Sequence, residues 1–271
     1  MRQNVYLDGD PGGPWMGHAL AEVGCIWQGP VHSEVITRAP GEIARFLRWL
    51  KAHGEPGIEA VEAAAVKAQV VEIREVAGFG QSGSAVGIFG PDREPATDRD
   101  IDTAVRRLGY ARRDLHEAMA GLPPDALDWQ PPARLSIHDA ARPALRPAAP
   151  KRTIRKNLEH ICRAQVFYLS RVLGVDAAQG ALPEPWPKDT FACLEWVVGR
   201  SVEALQALTR QQRSGLFQAA DPAEDWTARK MLRRFVEHER EHAEVVRRAV
   251  ELRNAPTSGM HPAGRSPAPS K

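Results

Sequence analysis

Residues 227–254 read TARKMLRRFVEHEREHAEVVRRAVELRN, and the interpretation of the whole chain starts from this segment. Thr227 is a good N-cap, and the run contains neither Gly nor Pro. Residues spaced by four and three positions share one face of an α-helix, and here that face is apolar except for two histidines. Its members are Met231, Phe235, His238, His242, Val245 and Ala249. The pattern predicts one long amphipathic helix with both imidazoles on its buried side.

The two histidines, His238 and His242, lie one helical turn apart, so both imidazoles project from the same stripe. An imidazole inside an apolar seam needs a polar partner, and a shared cation satisfies two imidazoles at once. A single buried histidine is usually a core residue bonded to a carbonyl or a carboxylate, whereas a pair at this spacing is typical of metal ligands. The segment therefore predicts a metal site that still needs a third ligand.

Composition narrows the class of protein. The chain has 271 residues, which is enough for two domains, and its net charge of +2 argues against a nucleic-acid-binding function. No apolar run is long enough to span a membrane, and the N-terminus leads into no apolar segment typical of a signal peptide. The three cysteines lack C-x-x-C spacing, so we expect a cytoplasmic protein whose thiols simply pack. They are Cys25, Cys162 and Cys193.

The first part of the chain predicts a small α+β module over residues 1–77. Three short apolar runs within residues 4–30 are separated by turn-forming Gly and Pro, and they predict strands. A helical pattern follows over residues 33–54, with Ser33 as its N-cap, and Pro40-Gly41 inside it should kink or split the helix. Val70-Val71-Glu72-Ile73 then predicts a returning strand.

Four short motifs follow one another within residues 4–54. They are Tyr6-Leu7-Asp8, Met16-Gly17-His18-Ala19-Leu20, Val23-Gly24-Cys25 and Ser33-Glu34-Val35. Together they resemble the HicB-like antitoxin module, in which a Gly-Cys step precedes a strand and an acidic residue opens the helix. In HicB antitoxins a short DNA-binding segment accompanies this module. None follows residue 54 here, so we expect that the module does not act as an antitoxin by itself.

The rest of the chain predicts a helical domain. Residues 78–96 are rich in Gly and Pro and predict a linker. Three further stretches have a helical period: 97–121, 153–174 and 190–213. Together with the last helix they predict an all-α four-helix bundle over residues 97–253, because four apolar stripes must be buried against one another. Residues 254–271, rich in Pro, Gly and Ser, predict a disordered tail. The fold class is thus an α+β module followed by an all-α bundle, mainly α overall.

His160 is the candidate for the third ligand. Apart from the pair, it is the histidine that lies on a bundle helix next to its apolar stripe. His116 is expected to be a partly exposed polar residue, and His138 falls in a predicted loop. Three neutral imidazoles would hold a divalent cation and leave coordination positions open, which is the pattern of catalytic sites. Such ligands suit Zn, Ni, Co or Fe, so the ligand type alone does not select the metal.

A second resemblance rests on the segments around these histidines. They are Thr153-Ile154-Arg155, Leu158-Glu159-His160-Ile161, Phe167-Tyr168-Leu169, Trp226-Thr227-Ala228-Arg229-Lys230 and His238-Glu239-Arg240-Glu241-His242. Over residues 97–253 the chain resembles the DinB-like (DinB/YfiT-like) metal-binding bundle family. In that family a histidine of the second helix and two of the fourth bind one metal, which implies His160, His238 and His242 as ligands. Some members use a low-molecular-weight thiol such as mycothiol or bacillithiol. The resemblance therefore implies a divalent-metal-dependent thiol S-transferase or isomerase, with a small-molecule thiol or electrophile as its partner.

A different enzyme class also fits part of this segment. His238 and His242 match H-E-x-x-H, the motif of zinc metallopeptidases, in which Glu239 would be the general base. Glu239 lies about 100° around the helix from His238, toward the basic face, and the acids downstream are on the same helix. A metallopeptidase is therefore the weaker alternative.

A non-catalytic binding or scaffold protein is the other alternative, in which the HicB-like module docks a partner. The last helix carries a basic face that would meet an acidic surface or simply be solvated. Three acidic residues of this helix are likewise expected on a solvated face, with ion pairs to Arg233, Arg234 or Arg240. They are Glu237, Glu239 and Glu241. The sequence leaves the oligomeric state open, including a homodimer.

Overall fold

The computed structural model describes residues 1–59, 62–75, 87–130, 153–220 and 223–254. A mixed sheet with a helix forms the N-terminal part, and a mainly helical region follows; 61% of the described residues are helical, which confirms the predicted fold class. The N-terminal part contains β1 (Arg2–Gly9), β2 (Trp15–His18), β3 (Ile26–Gly29), α1 (His32–Ala52) and β4 (Lys67–Glu75). The helical part contains α2 (Asp98–Met119), α3 (Ile154–Leu173), α4 (Val175–Ala181), α5 (Thr190–Gln206), α6 (Arg210–Ser214), the strands β5 (Phe217–Ala220) and β6 (Ala223–Trp226), and α7 (Ala228–Asn254). Short 3-10 turns cover Ala63–Ala65, Gly90–Arg93 and Pro124–Asp128.

The N-terminal sheet has the strand order β3-β2-β1-β4. β1 pairs antiparallel with β2 and parallel with β4, so α1 is the crossover between the meander and the last strand. α1 covers one face of the sheet, and its residues Ile43, Phe46 and Leu47 share a buried core with Val5 and Leu7 of β1. The predicted strands and returning strand are confirmed.

The expected split of α1 at Pro40-Gly41 is wrong. The helix begins at His32, with Val31 rather than Ser33 as its N-cap, and runs unbroken through Pro40. Proline removes one hydrogen bond from a helix. On both sides of Pro40, however, α1 buries apolar residues against the sheet, Val35 and Ile43 among them. This packing keeps the helix continuous, because most helical stability in a folded protein comes from the buried face.

The four long helices pack as predicted. α2 lies along α7, α7 and α5 both lie along α3, and α5 also contacts α2. The predicted helix over 190–213 is two helices, since α5 ends at Gln206 and Thr209 opens α6 with a capping box to Gln212. Neither α4 nor the β5–β6 hairpin was predicted. Among the helices described, none is both long and apolar enough to cross a membrane.

Other parts of the chain cover the face of α7 that the sequence suggested was solvated. Lys230, Arg233 and Arg234 are buried, and so are Glu237 and Glu239. The expectation of a solvated charged face is therefore wrong for these residues. Ion pairs from Glu237 to Arg233 and Arg234 do form, as expected. The periodicity of α7 could not show this burial, because the covering residues come from elsewhere in the chain. Arg233 donates to the Gly87 carbonyl, whereas Glu239 lies against Arg112 and Lys230 against Glu224.

The predicted domain bounds are only partly covered by the described residues. Residues 76–86 of the linker region and residues 255–271 of the tail lie outside them, so the boundary near residues 78–96 and the disordered tail stay predictions. In the described part of that linker, Phe89 is fully buried. Its ring lies 5.4 Å from those of Tyr6 and His18 on the sheet face opposite α1.

Glu55, just after α1, links the N-terminal part to α2. Its carboxylate accepts hydrogen bonds from Arg106 Nε at 2.7 Å and from Arg107 Nε at 3.1 Å. Burial alone would raise the pKa of Glu55, but the hydrogen bonds and charges of the two arginines outweigh burial and lower the pKa to about 2. Because the pKa is lower in the folded state, this contribution to stability is present above the ordinary value of 4.5 and is lost as the pH falls toward 2.

We expect Glu55→Gln to lower the free energy of unfolding by about 2 kcal/mol at neutral pH, because it weakens three charge-assisted hydrogen bonds from the two arginines. The difference from the wild type should shrink as the pH falls below about 4.5, as urea denaturation at several pH values would show. Glu59→Gln is the matched control, since its side chain is 88% exposed and contacts only Lys51 among the described ion pairs. It should change stability by less than about 1 kcal/mol. A Glu55→Gln difference that is constant with pH would contradict the expectation.

Candidate metal centre

The three predicted histidines come together where α3 packs against α7. His160 is on α3 and is half-buried, whereas His238 and His242 on α7 are buried. Each offers one ring nitrogen, and these nitrogens lie within 4.8 Å of one another. The closest pair is His238 Nε2 and His160 Nε2, which are 3.1 Å apart. Among the residues that the structure describes, no other set of three His, Cys, Asp or Glu side chains is grouped in this way.

Two helix caps fix the positions of these histidines along their helices. The Thr153 hydroxyl accepts a hydrogen bond from Lys156 N at 3.2 Å and starts α3 two turns before His160. The Thr227 hydroxyl accepts from Lys230 N at 3.2 Å and starts α7 three turns before His238. The two helices pack along each other, so the register set by each cap brings the imidazoles to the same level.

The spacing of the ring nitrogens suits a small divalent cation. Two ligand nitrogens at the usual bond length from zinc, separated by the tetrahedral angle, lie about 3.4 Å apart. The 3.1 Å between His238 Nε2 and His160 Nε2 is close to this distance. The ring centroids of His238 and His242 are 4.4 Å apart, and that of His160 lies 4.8 Å from His242. A His160/His238/His242 triad with this geometry could hold a metal ion, and the geometry does not identify the metal.

Asn157 holds one of the imidazoles and was not found from the sequence. Its side chain is fully buried, and its Nδ2 donates to the Thr153 carbonyl at 3.0 Å. That bond orients the amide, so Oδ1 is the atom that faces the ring and accepts from His242 Nδ1 at 3.2 Å. With Nδ1 bound to Asn157, Nε2 is the nitrogen that His242 offers to a cation. The sequence did contain a signal for this role, since Asn157 lies about one helical turn before His160 on the buried side of the same helix.

Aromatic side chains form one wall of the site. The Tyr168 ring lies 5.6 Å from that of His238 and 5.8 Å from that of Trp226. The Tyr168 hydroxyl accepts a hydrogen bond from Arg234 Nη2 at 3.3 Å. Burial raises the pKa of Tyr168, and the Arg234 charge opposes this only in part, so the phenol stays protonated at neutral pH. This side of the site is therefore apolar and carries no negative charge from the phenol.

Glu239 is engaged in the interior of the bundle. It is almost completely buried, its carboxylate lies 2.8 Å from Arg112 Nε on α2, and it accepts from Gln165 Nε2 on α3 at 3.3 Å. A metallopeptidase of the H-E-x-x-H type needs this carboxylate beside a water on the metal. The observed contacts hold it in an ion pair with Arg112 instead, so they argue against the metallopeptidase alternative.

The other histidines singled out from the sequence do not join the site. His116 is 43% exposed and lies 2.7 Å from Glu195, as expected of a partly exposed polar residue. His138 lies outside the described residues.

Comparison with known proteins adds one match. A family model described as the DinB superfamily matches residues 107–246, slightly more than half of the 271 residues. The matched span includes the three histidines, Asn157 and Tyr168. It does not reach residues 4–54, so the HicB-like resemblance of that segment is not shown and stays a prediction. Neither the curated proteins nor the solved structures contain a match to the chain.

Proposed function

This chain belongs to the DinB superfamily, and on that premise we propose that His160, His238 and His242 bind one divalent cation at which a low-molecular-weight thiol reacts. In the reaction class, the thiolate sulfur bonds to a small electrophile, whose leaving group departs with the electron pair; the alternative is an isomerisation that depends on the thiol. The observation that carries the proposal is the buried three-histidine group, whose ring nitrogens lie within 4.8 Å of one another. Zn, Ni, Co and Fe all suit these ligands.

The ligand set favours a thiolate as the reacting group. A bound cation would stabilise the thiolate form of a coordinating thiol at neutral pH. Three neutral imidazoles leave the charge of a divalent cation uncompensated, so an anionic sulfur is attracted to the position they leave open. His160 is the most exposed of the three, which supports an approach of the substrate from its side.

Neighbouring side chains have separate roles in this proposal. Asn157 orients His242, and the buried Tyr168 ring excludes water from the side of His238. The phenol of Tyr168 stays protonated and is held by Arg234, so it does not compete with the thiolate as an anionic ligand. No residue among these is assigned as a general acid or base.

The test uses the full chain in two steps. The metal content of the purified protein is measured before and after incubation with Zn, Ni, Co or Fe. Thiol consumption is then followed with a panel of low-molecular-weight thiols and a chromogenic aryl halide. The proposal expects consumption above the uncatalysed rate only for metal-loaded protein, with loss of activity in chelator and recovery on adding metal. Stoichiometric metal binding without consumption of any thiol would contradict the proposed catalysis. If the protein takes up none of the four metals, the proposed metal site is wrong as well.

Asn157 provides a prediction that separates orientation of the ligand from folding. Asn157→Leu removes the acceptor for His242 Nδ1, and we expect metal affinity to fall about 10- to 100-fold. Asn157→Asp keeps an acceptor oxygen at the same position and should retain affinity. Isothermal titration with zinc measures both variants. Equal losses in the two variants would mean that Asn157 acts through the packing of α3 and not through His242.

A further inference from the structure

Two of the three cysteines meet where α3 packs against α5. Cys162 on α3 is buried, whereas Cys193 on α5 is partly exposed. Both side chains line the same small cavity, so the two thiols face a common space between the helices, where a disulfide would join α3 to α5. Cys25 lies in the core between α1 and the sheet, away from this pair. Cys25 packs in the core as expected, but the expectation that all three thiols simply pack omits the cavity that the other two share.

A small cavity gives access to the pair. Its volume is about 210 Å³, and both cysteines line it. Trp186 forms part of the wall, and Arg163 and Lys188 lie at the exposed side of the cavity. Neither cation has an ion pair among the described residues, so the entrance favours an anionic molecule of small size.

We propose that Cys162 and Cys193 form a redox pair that exchanges with an anionic low-molecular-weight disulfide. Cys193 is the attacking thiol, because it is the one exposed to the cavity, and Cys162 is the resolving thiol behind it. The proposal does not depend on a metal at the three histidines.

The exchange has two balanced steps. Cys193 Sγ, as its thiolate, bonds to one sulfur of the small disulfide, whose S–S bond breaks and releases one thiolate with the electron pair. Cys162 Sγ then bonds to Cys193 Sγ, and the mixed disulfide breaks to release the second thiolate. The two protons lost by the cysteines end on the two released thiols. The protein is oxidised by two electrons and the small disulfide is reduced by two.

The closed bridge would tie α3 to α5 close to the histidine site. Cys162 follows His160 by two residues on α3, so the bridge would restrain the helix that carries this candidate ligand.

The experiment exposes the full-length protein to oxidised glutathione, traps free thiols with an alkylating agent and maps the products by mass spectrometry. The wild type should retain one alkylatable thiol, at Cys25, and yield a cross-linked peptide pair containing Cys162 and Cys193. Cys162→Ser should stop at a glutathione adduct on Cys193, and Cys193→Ser should give neither adduct nor bridge. Cys25→Ser, the matched control, should form the bridge as the wild type does.

Wild-type mapping alone can overturn the proposal if a variant fails to fold. Three alkylatable thiols after treatment, a lasting adduct on Cys193 without a bridge, or a bridge that includes Cys25 would each reject the pair. For the charge preference, the wild type should react faster with oxidised glutathione than with neutral hydroxyethyl disulfide. The Arg163→Gln, Lys188→Gln double variant should lose that preference, and its persistence would show that the two cations do not select the disulfide.

Discussion

Replacing any one of His160, His238 and His242 with Ala is expected to abolish stoichiometric binding of a divalent cation. Each variant removes one of three ring nitrogens that lie within 4.8 Å of one another. The two remaining imidazoles, with water in the other coordination positions, bind a cation much more weakly. Isothermal titration with zinc measures the loss, and the absorption bands of bound cobalt report the geometry in the wild type. Binding should also weaken in acid, because each imidazole must lose its proton before it binds a metal.

His116→Ala is the control for this series, because His116 is also on a bundle helix but pairs with Glu195 at the surface. It should bind metal as the wild type does. Glu239→Gln should also retain binding, since the Glu239 carboxylate lies against Arg112. Full stoichiometry in His160→Ala, or loss of the metal in Glu239→Gln, would mean that the third ligand is misassigned.

The three histidines could be found from the sequence because their positions depend on regular helices. A cap at Thr227 and an apolar stripe place His238 and His242 on the buried side of α7 without knowledge of any other element. His160 followed because it lies next to the stripe of another long helix. The three histidines can reach one ion only because α3 packs against α7. The sequence indicates this packing only through the family resemblance.

Other features depend on contacts between elements far apart in the chain, and periodicity carries no signal for them. Cys162 and Cys193 are neighbours only because of the register between α3 and α5. Lys230, Arg233 and Arg234 form a basic stripe that is solvated in most helices. Here the sheet and residues 87–93 cover part of this stripe, so the same pattern of residues marks an interior surface.

That interior surface contains alternating charges from both parts of the chain. His18 on β2 lies 2.9 Å from Asp8 and 3.4 Å from Glu237, and all three side chains are buried. Burial alone would lower the pKa of His18, but Asp8 and Glu237 outweigh burial and raise it. Arg233 adds ion pairs with Asp92 at 3.1 Å and with Glu237 at 3.4 Å. The carboxylates are therefore balanced by cations inside a surface that excludes water.

Arg233→Met is expected to lower the free energy of unfolding by about 3–5 kcal/mol, because it leaves Asp92 and Glu237 buried with one cation fewer. Arg247→Met is the matched control on the same helix. Arg247 is 50% exposed and pairs with Glu244 and Glu251 at the surface, so its replacement should cost less than about 1 kcal/mol. Chemical denaturation followed by tryptophan fluorescence and by circular dichroism measures both variants.

A second substitution tests whether Arg233→Met lowers the free energy of unfolding because it leaves the Asp92 carboxylate unpaired. Asp92→Asn removes a charge that Arg233 binds through two guanidinium nitrogens, Nε at 3.1 Å and Nη2 at 3.3 Å. Alone it should destabilise the protein, but in the Arg233→Met background it should restore part of the lost stability, because the buried charge without a partner is then gone. Simple additivity of the two losses would mean that Arg233 stabilises the fold through packing alone. In that case the ion pair would not be what holds residues 87–93 to α7.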